Sequence, residues 1–259
     1  MDTTPGADAS QANAPGRTSG CSSKSLRYTR GSRCVYGVPR IHAELRYRGV
    51  PVGRRRIERL MRQNGLRASH RRRFRRPGGS HHRWRVANNA LKRAFVVGEL
   101  NKVWLADITY IETGEGWLYL AAVMDLCSRR IVGWQTSHHM TRELAMGALC
   151  RALIARNPAR GLLHHSDQGS QYASIDYQMM LKRNGIVCSM NRAGNCYDNA
   201  PMESFFSSLK RECVRGKNYV SREQARRDLF DYINVFYNRQ RRHSSLGQIS
   251  PVDFEEQIA

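Results

Sequence analysis

Acidic residues are scarce in this chain. Only 21 Asp and Glu stand against 43 Lys and Arg, a formal net charge of +22 over 259 residues. So large an imbalance argues against an ordinary small-molecule enzyme and predicts a polyanionic partner, nucleic acid first, because each neutralised phosphate releases counterions and adds affinity. Long apolar runs are missing too: nothing approaches the roughly 18 residues that span a bilayer, and the N-terminus has no signal-peptide core, so the expectation is a cytoplasmic, nucleoid-associated protein with no membrane partner. Seven Cys with no CxxC pair fit neither a disulfide framework nor a zinc ribbon. His81 and His82 lack a second His or Cys pair at finger-like spacing, which argues against zinc. Against these absences, a hydrophobic fraction of 41% is enough for a real core, and the length accommodates one substantial domain and a smaller module.

Texture divides the chain. Residues 1–33, rich in Gly, Ser, Thr, Ala and Pro without periodic apolar positions, read as disordered. Within 35–66, "VPRIHAELRYRG" sets Ile41 and Leu45 at helical spacing behind Pro39, and "RRRIERLMRQNGL" does the same with Ile57, Leu60 and Met61 before an Asn-Gly stop. Two short helices, the second carrying Arg54, Arg55, Arg56, Arg59 and Arg62, look like a helix-turn-helix with a basic second helix; a plain helical hairpin is the alternative. Residues 67–100 read as a basic linker, in which Arg71, Arg72 and Arg73 are candidate phosphate contacts and Phe74 and Trp84 candidate stacking surfaces.

From Asn101 the pattern becomes that of an α/β domain extending to about 215. "KVWLADITYIE" and "WLYLAAVMDLCSRRIVGWQTS" supply three strands, the last two around a turn at Asp125 to Arg129. A helix over "TRELAMGALCRALIAR", a strand "GLLHHSD", a helix begun by Ser174, a strand "IVCSM" and a helix "NAPMESFFSSLKREC" follow. That order predicts a mixed sheet flanked by helices, as in ribonuclease H-like folds. Residues 216–259 read as a helical, basic extension.

Three carboxylates fit together on this plan. Asp107 interrupts an apolar first strand, Asp167 ends the fourth, and Glu203 sits one turn into the last helix behind Pro201. A buried charge on a strand needs compensation, and hard oxygen donors converging at one sheet edge suit Mg²⁺. Asp125, Asp176 and Asp198 read instead as a turn former, a first-turn acid and a helix cap. Lys210 shares a helix face with Glu203 at i+7.

Asp107 and Asp167 are 60 positions apart and 35 residues lie between Asp167 and Glu203, a spacing that resembles the D,D(35)E signature of retroviral-type integrases and transposases. The words "WLADITYI", "HSDQGSQY", "GNCYDNAPMESFFSSLKRE" and "YNRQRRHSSLGQISPVDF" resemble the integrase core of bacterial insertion-sequence transposases of the IS-three type, second reading frame (OrfB). The resemblance covers roughly residues 35–256. It implies Asp107, Asp167 and Glu203 as ligands of two Mg²⁺ ions, for which Mn²⁺ can substitute, Lys210 facing the DNA end, and Gly194, Asn195 and Asn199 as a mobile loop. It also implies Arg239, Arg241, Arg242 and His243 as a basic cluster along DNA, a homo-multimer on DNA, and an upstream-frame (OrfA) partner. The function implied is a DNA transposase that cuts and joins strands at element ends. The alternatives are a ribonuclease H-like nuclease without joining activity and a catalytically silent DNA-binding remnant.

Overall fold

The computed structural model describes residues 35–67, 87–92, 95–191 and 199–259. Arg71, Arg72, Arg73, Phe74, His81, His82, Trp84, Gly194, Asn195, Asp198 and the N-terminal 33 residues lie outside them. The chain forms two compact units, divided after His70.

In the first unit, α1 (Val38–Tyr47) takes Pro39 in its first turn, and α2 (Arg54–Gln63) follows. Ile41 and Leu45 of α1 and Ile57, Leu60 and Met61 of α2 are the buried positions, the apolar spacing expected of two helices sharing a small core. Both helices stop the same way. Gly49 and Gly65 adopt positive φ, and the amides of Val50 and Leu66 reach back to the Leu45 and Met61 carbonyls at 2.9 and 2.8 Å, satisfying acceptors the helix end would leave open.

The second unit is built on one sheet of five strands: β1 (Val103–Ile111), β2 (Leu118–Asp125), β3 (Ile131–Ser137), β4 (Leu163–Ser166) and β5 (Val187–Met190), in the order β3-β2-β1-β4-β5. β1, β2 and β3 pair antiparallel, while β4 and β5 add to β1 in parallel, so the expected mixed sheet is present. Its helices are α3 (Arg142–Arg156), a single turn α4 (Ser170–Ala173), α5 (Ile175–Arg183), α6 (Ala200–Leu209), α7 (Arg222–Phe230) and α8 (Pro251–Ile258). Trp104, Ala106, Ala121, Val123 and Val132 share one sheet face and pack with Leu144, Ala148, Leu149 and Ala152 of α3 and Tyr177 and Leu181 of α5. Leu105, Leu120, Ala122 and Met124, on the opposite face by strand alternation, are buried as well, so the sheet is covered on both sides. α3 lies so close to β3 that a Cβ on Gly133 would stand 2.3 Å from the Ala148 carbonyl oxygen.

The turn acids behave as read. Asp125 closes β2 fully buried and accepts from the backbone amides of Asn101, Cys127 and Ser128 at 2.7, 2.9 and 3.2 Å. Asp176 lies in the first turn of α5. Asn199 occupies the N-cap of α6, the place expected for Asp198. The α6 chain continues into a wide π-helical turn, Lys210–Val214, and α7 into another, Asp231–Tyr237. The second bears on which of its aromatic side chains turn inward. Ile233, Phe236 and Tyr237 are buried, but Phe230 is 56% exposed, because the wider turn changes the helical phase just after it.

Candidate active site

The register of the parallel pair decides where the first two carboxylates stand. Val103 pairs with Leu163, Trp104 with His164 and Leu105 with His165, an offset of 60. The pairing ends there; Asp107 lies two residues further along β1 and Asp167 two residues beyond His165, directly after the carboxyl end of β4, and the negative charges of both bear on Tyr172. Ligand sites of open α/β sheets gather at such strand ends. Asp107 Oδ1 accepts from the Ile108 amide at 2.8 Å and Asp167 Oδ1 from the Gly169 amide at 2.9 Å, so backbone donors orient both side chains. Gly169 leaves room for that approach: a Cβ there would stand 3.0 Å from Asp167 Oδ1 and from Gln171 Oε1, a tight contact those side-chain ends would have to relieve.

Glu203 arrives on α6. Met202, Phe205 and Leu209 form its buried stripe, and Asn199 fixes its start by donating from Nδ2 to the Ala106 carbonyl at 3.2 Å, one residue before Asp107. Asn199 is therefore a buried anchor at the start of α6, while Gly194 and Asn195 of the expected loop lie outside the described residues. Lys210, at the helix end, lies with its Nζ 4.7 Å from the centroid of the Tyr110 ring. Burial pulls the Lys210 ammonium below its usual range, opposed by the attraction of Asp107. Asp107, Asp167, Glu203 and Lys210 are all half-buried, within reach of a large substrate.

The structure adds residues that spacing alone does not single out. Tyr172, on the turn after Asp167, is buried, and its hydroxyl has no hydrogen-bond partner among the described residues. Burial pushes its phenol well up, helped by Tyr177 and by the negative charges of both Asp107 and Asp167. His165 Nδ1 meets Ser189 Oγ at 2.8 Å and its Nε2 meets Asn191 Oδ1 at 2.5 Å, while Gln168 Nε2 donates to the Asn191 carbonyl at 2.7 Å. These bonds tie the end of β5 to the turn that carries Asp167. The word "HSDQGSQY" contains most of these residues, but which of them turn inward depends on pairings distant in the chain.

Among the described residues no three His, Cys, Asp or Glu side chains form a ready-made metal cage. The donor set itself suits a hard divalent cation: three carboxylates, one on β1 and one directly after its parallel neighbour β4, with no thiolate or imidazole among them. Like charges so placed repel, and a cation between them would offset that repulsion.

The basic candidates part company. Arg54 and Arg55 are exposed at the start of α2 and Arg56 is half-buried there. The expectation that Arg241 and Arg242 lie along DNA is corrected, because both are interior, 4% and 6% exposed. Arg241 donates from Nε to Glu212 Oε2 at 2.8 Å and from Nη2 to Glu212 Oε1 at 2.9 Å and Ser208 Oγ at 3.2 Å. Arg242 Nη1 donates to the Gln248 carbonyl at 2.7 Å, and His243 is buried beside it. Burial works to raise the Glu212 carboxyl, yet Arg241, with Arg211 and Tyr232, outweighs it and holds Glu212 down to about 2. Only Arg239 of that cluster is exposed.

Residues 99–196 match the family described as "Integrase core domain", residues 203–258 a second family of the same description, and residues 27–74 an "HTH-like domain". A helix-turn-helix-like segment followed by an integrase core defines a DDE-type polynucleotidyl transferase. The chain is 46% identical, over 87% of its length, to the "Insertion element IS600 uncharacterized 31 kDa protein" of Shigella sonnei, 83% of which is covered. It is 45% identical, over 91% of its length, to "Transposase InsF for insertion sequence IS3A" of Escherichia coli K12, covering 82% of that protein. The chain belongs to the IS3 family of insertion-sequence transposases. Among solved structures, a chain of the simian T-cell lymphotropic virus intasome shares the fold with a TM-score of 0.51 at 15% identity, over 89% of this chain and 73% of that one. No helix among the described residues is long and apolar enough to cross a membrane.

Proposed function

We propose that Asp107, Asp167 and Glu203 hold a pair of Mg²⁺ ions, or Mn²⁺ in their place, at which this transposase cuts and joins DNA strands at the ends of its element. The observation that carries the reading is the offset of 60 between β1 and β4, which favours Asp107 and Asp167 meeting at the same end of two paired strands, with the helix bearing Glu203 anchored to Ala106. Bound there, divalent ions would activate an attacking oxygen and stabilise the departing one in an in-line displacement at phosphorus. Asp107 and Asp167 are preset for ion binding by their backbone donors, and Glu203 approaches from the helix. Lys210 is no ligand for such an ion; its ammonium holds a phosphate of the DNA end close to Asp107. In cleavage, the water oxygen bonds to phosphorus as the bond to the 3′ oxygen breaks and that oxygen takes up a proton. In joining, at the same three carboxylates, the freed 3′ hydroxyl gives up its proton and its oxygen bonds to a phosphorus of the second strand as the bond from that phosphorus to its own 3′ oxygen breaks, and the departing oxygen takes up a proton.

Arg54, Arg55 and Arg56 of α2, and Arg71, Arg72 and Arg73 beyond it, contact phosphates of the element end. The protein works in the bacterial cytoplasm on the nucleoid, as a homo-multimer on DNA with an upstream-frame (OrfA) protein.

The test uses labelled element-end DNA with Mg²⁺, with any upstream-frame partner supplied. Asp107→Asn, Asp167→Asn and Glu203→Gln should each abolish both strand cleavage and the joining of pre-cleaved ends, with DNA affinity within about twofold of wild type, since each removes one local charge. Cleavage surviving Glu203→Gln would take that residue out of the site. Degradation without any joined product would leave only a nuclease.

A further inference from the structure

We propose that the exposed pair Tyr110–Trp117 is a stacking platform for one unpaired nucleobase of the DNA end, a few nucleotides from the phosphate that is cut. Tyr110 is the next-to-last residue of β1 and Trp117 directly precedes β2 across the hairpin, and their rings meet edge to face with centroids 5.0 Å apart at 79°. Both stay open to solvent, Trp117 at 45% and Tyr110 at 40%. Single exposed aromatics need no explanation, but three further observations set this pair apart.

The first is position. Tyr110 lies three residues beyond Asp107 on one strand, about 10 Å at roughly 3.3 Å per residue; strand alternation turns the two side chains to opposite faces, and the Lys210 side chain is what links them. The Lys210 ammonium stands 4.7 Å from the Tyr110 centroid and is also attracted by Asp107, so it bridges the carboxylate and the aromatic pair. Successive nucleotides of one strand rise by about 3.4 Å, which puts the stacked base about three nucleotides from the reacting phosphate, with Lys210 beside the phosphates between.

The second is rigidity. Thr113 and Gly116 bond each other's backbone, at 3.2 and 3.0 Å, and Thr113 Oγ1 donates to the Gly116 carbonyl at 2.6 Å. Arg222, at the start of α7, donates from Nε to the Trp117 carbonyl at 3.1 Å and from its amide to Glu115 Oε2 at 2.9 Å, and Nη2 also bonds the Glu115 carbonyl. The Gly114 amide reaches the Tyr219 carbonyl at 2.8 Å, leaving no room for a side chain at Gly114, where a Cβ would stand 2.7 Å from the Val220 carbonyl oxygen. An indole presented on a hairpin fixed at so many points costs little entropy to engage.

The third is complementarity. A base offers a flat π face to the indole and brings a phosphate to the lysine, and a chain of net charge +22 draws that phosphate in. An apolar protein partner would have no use for Lys210 beside the rings. A base still paired in a duplex cannot present its face, so the platform takes a base released from pairing at the end. The role rests on the carboxylate reading, which fixes where the reacting phosphate lies.

The experiment uses the full chain and duplexes of the element's terminal sequence, each with 2-aminopurine at one of the last few positions, in Ca²⁺ to prevent cleavage. Wild type should quench the fluorescence at one position, about three nucleotides from the cleavage point. Trp117→Leu keeps apolar bulk but has no π face; it should lose the quench and bind a duplex with unpaired terminal bases about tenfold more weakly, an effect of the size expected when one base stack is removed. Trp117→Phe should retain both, and thermal melting of each variant separates this outcome from misfolding. Equal quenching by wild type and Trp117→Leu, or none at any position, overturns the proposal. Asp167→Asn should quench as wild type does in Ca²⁺ while failing to cleave the same DNA in Mg²⁺, where wild type cleaves it. If Asp167→Asn cleaves, the carboxylate reading fails, and the quenching data still decide the platform.

Discussion

At the scale of single residues, the same side chain chemistry serves opposite ends. Arg241 and Arg54 are both arginines in basic runs, yet one is locked to Glu212 in the interior and the other lies on a helix surface. A buried ion pair is a poor source of net stability against an apolar equivalent, but losing one member leaves a charge stranded in a poorly solvating interior. Arg241→Ala should therefore destabilise the second unit by about 3–5 kcal/mol, read as a shift of the urea midpoint. Arg241→Ala combined with Glu212→Gln should cost much less than the single change. An Arg241→Ala protein with wild-type stability and weakened DNA binding would return this arginine to the DNA surface. Nothing in "YNRQRR" distinguishes the inward arginines from the outward one, because the partner Glu212 lies 29 residues back in the chain.

At the scale of elements, local rules reach a long way. The apolar run of β1, the apolar stripe of α6 and the Pro and Gly punctuation of α1 and α2 follow from them, and all three are where those rules put them. The separation of 60 between Asp107 and Asp167 has a structural origin as well, since it equals the pairing offset of β1 and β4. Less legible is whatever depends on pairings between distant segments. Asn238 is an example: its Oδ1 accepts from the Ile131 amide and its Nδ2 donates to the Ile131 carbonyl, both at 3.0 Å, so one side chain takes the place of a neighbouring strand at the sheet's edge. The phase change after Phe230 is equally invisible to a reading that assumes 3.6 residues per turn. Two element-level outcomes follow. Gly133→Ala, which forces β3 and α3 apart, should cost about 1–3 kcal/mol or more in a denaturant titration. Arg54→Ala with Arg55→Ala should flatten the salt dependence of DNA binding by about one unit of slope for each phosphate no longer neutralised, and an unchanged slope would mean that these side chains are merely solvated.

For the whole molecule, the carboxyl-terminal stretch and the sheet form one folding unit. Glu255 of α8 takes Arg130 and Arg156 as ion-pair partners, Asn238 closes β3, and Arg241 meets the helix that continues from Glu203. The interior so formed contains groups whose protonation opposes folding. His164 is fully buried with Nε2 bonded to the Tyr177 hydroxyl at 2.9 Å, among Tyr172, Tyr177 and His165, and burial, helped by the charge of His165, pulls it down to about 3. Unfolded, it would bind a proton near 6.5; folded, it does not, so acidification below about pH 6.5 favours the unfolded chain. Glu212 acts in the same direction at lower pH, for it takes a proton near 4.5 when unfolded and near 2 when folded. Stability should therefore be greatest above about pH 6.5 and fall in two stages, the first from His164 and the second, below about pH 4.5, from Glu212. Urea midpoints measured from pH 8 down to about pH 3 test this. His164→Asn, whatever its own cost at pH 8, should flatten the decline between pH 6.5 and 5, and an undiminished slope in that variant would assign the upper stage to another group.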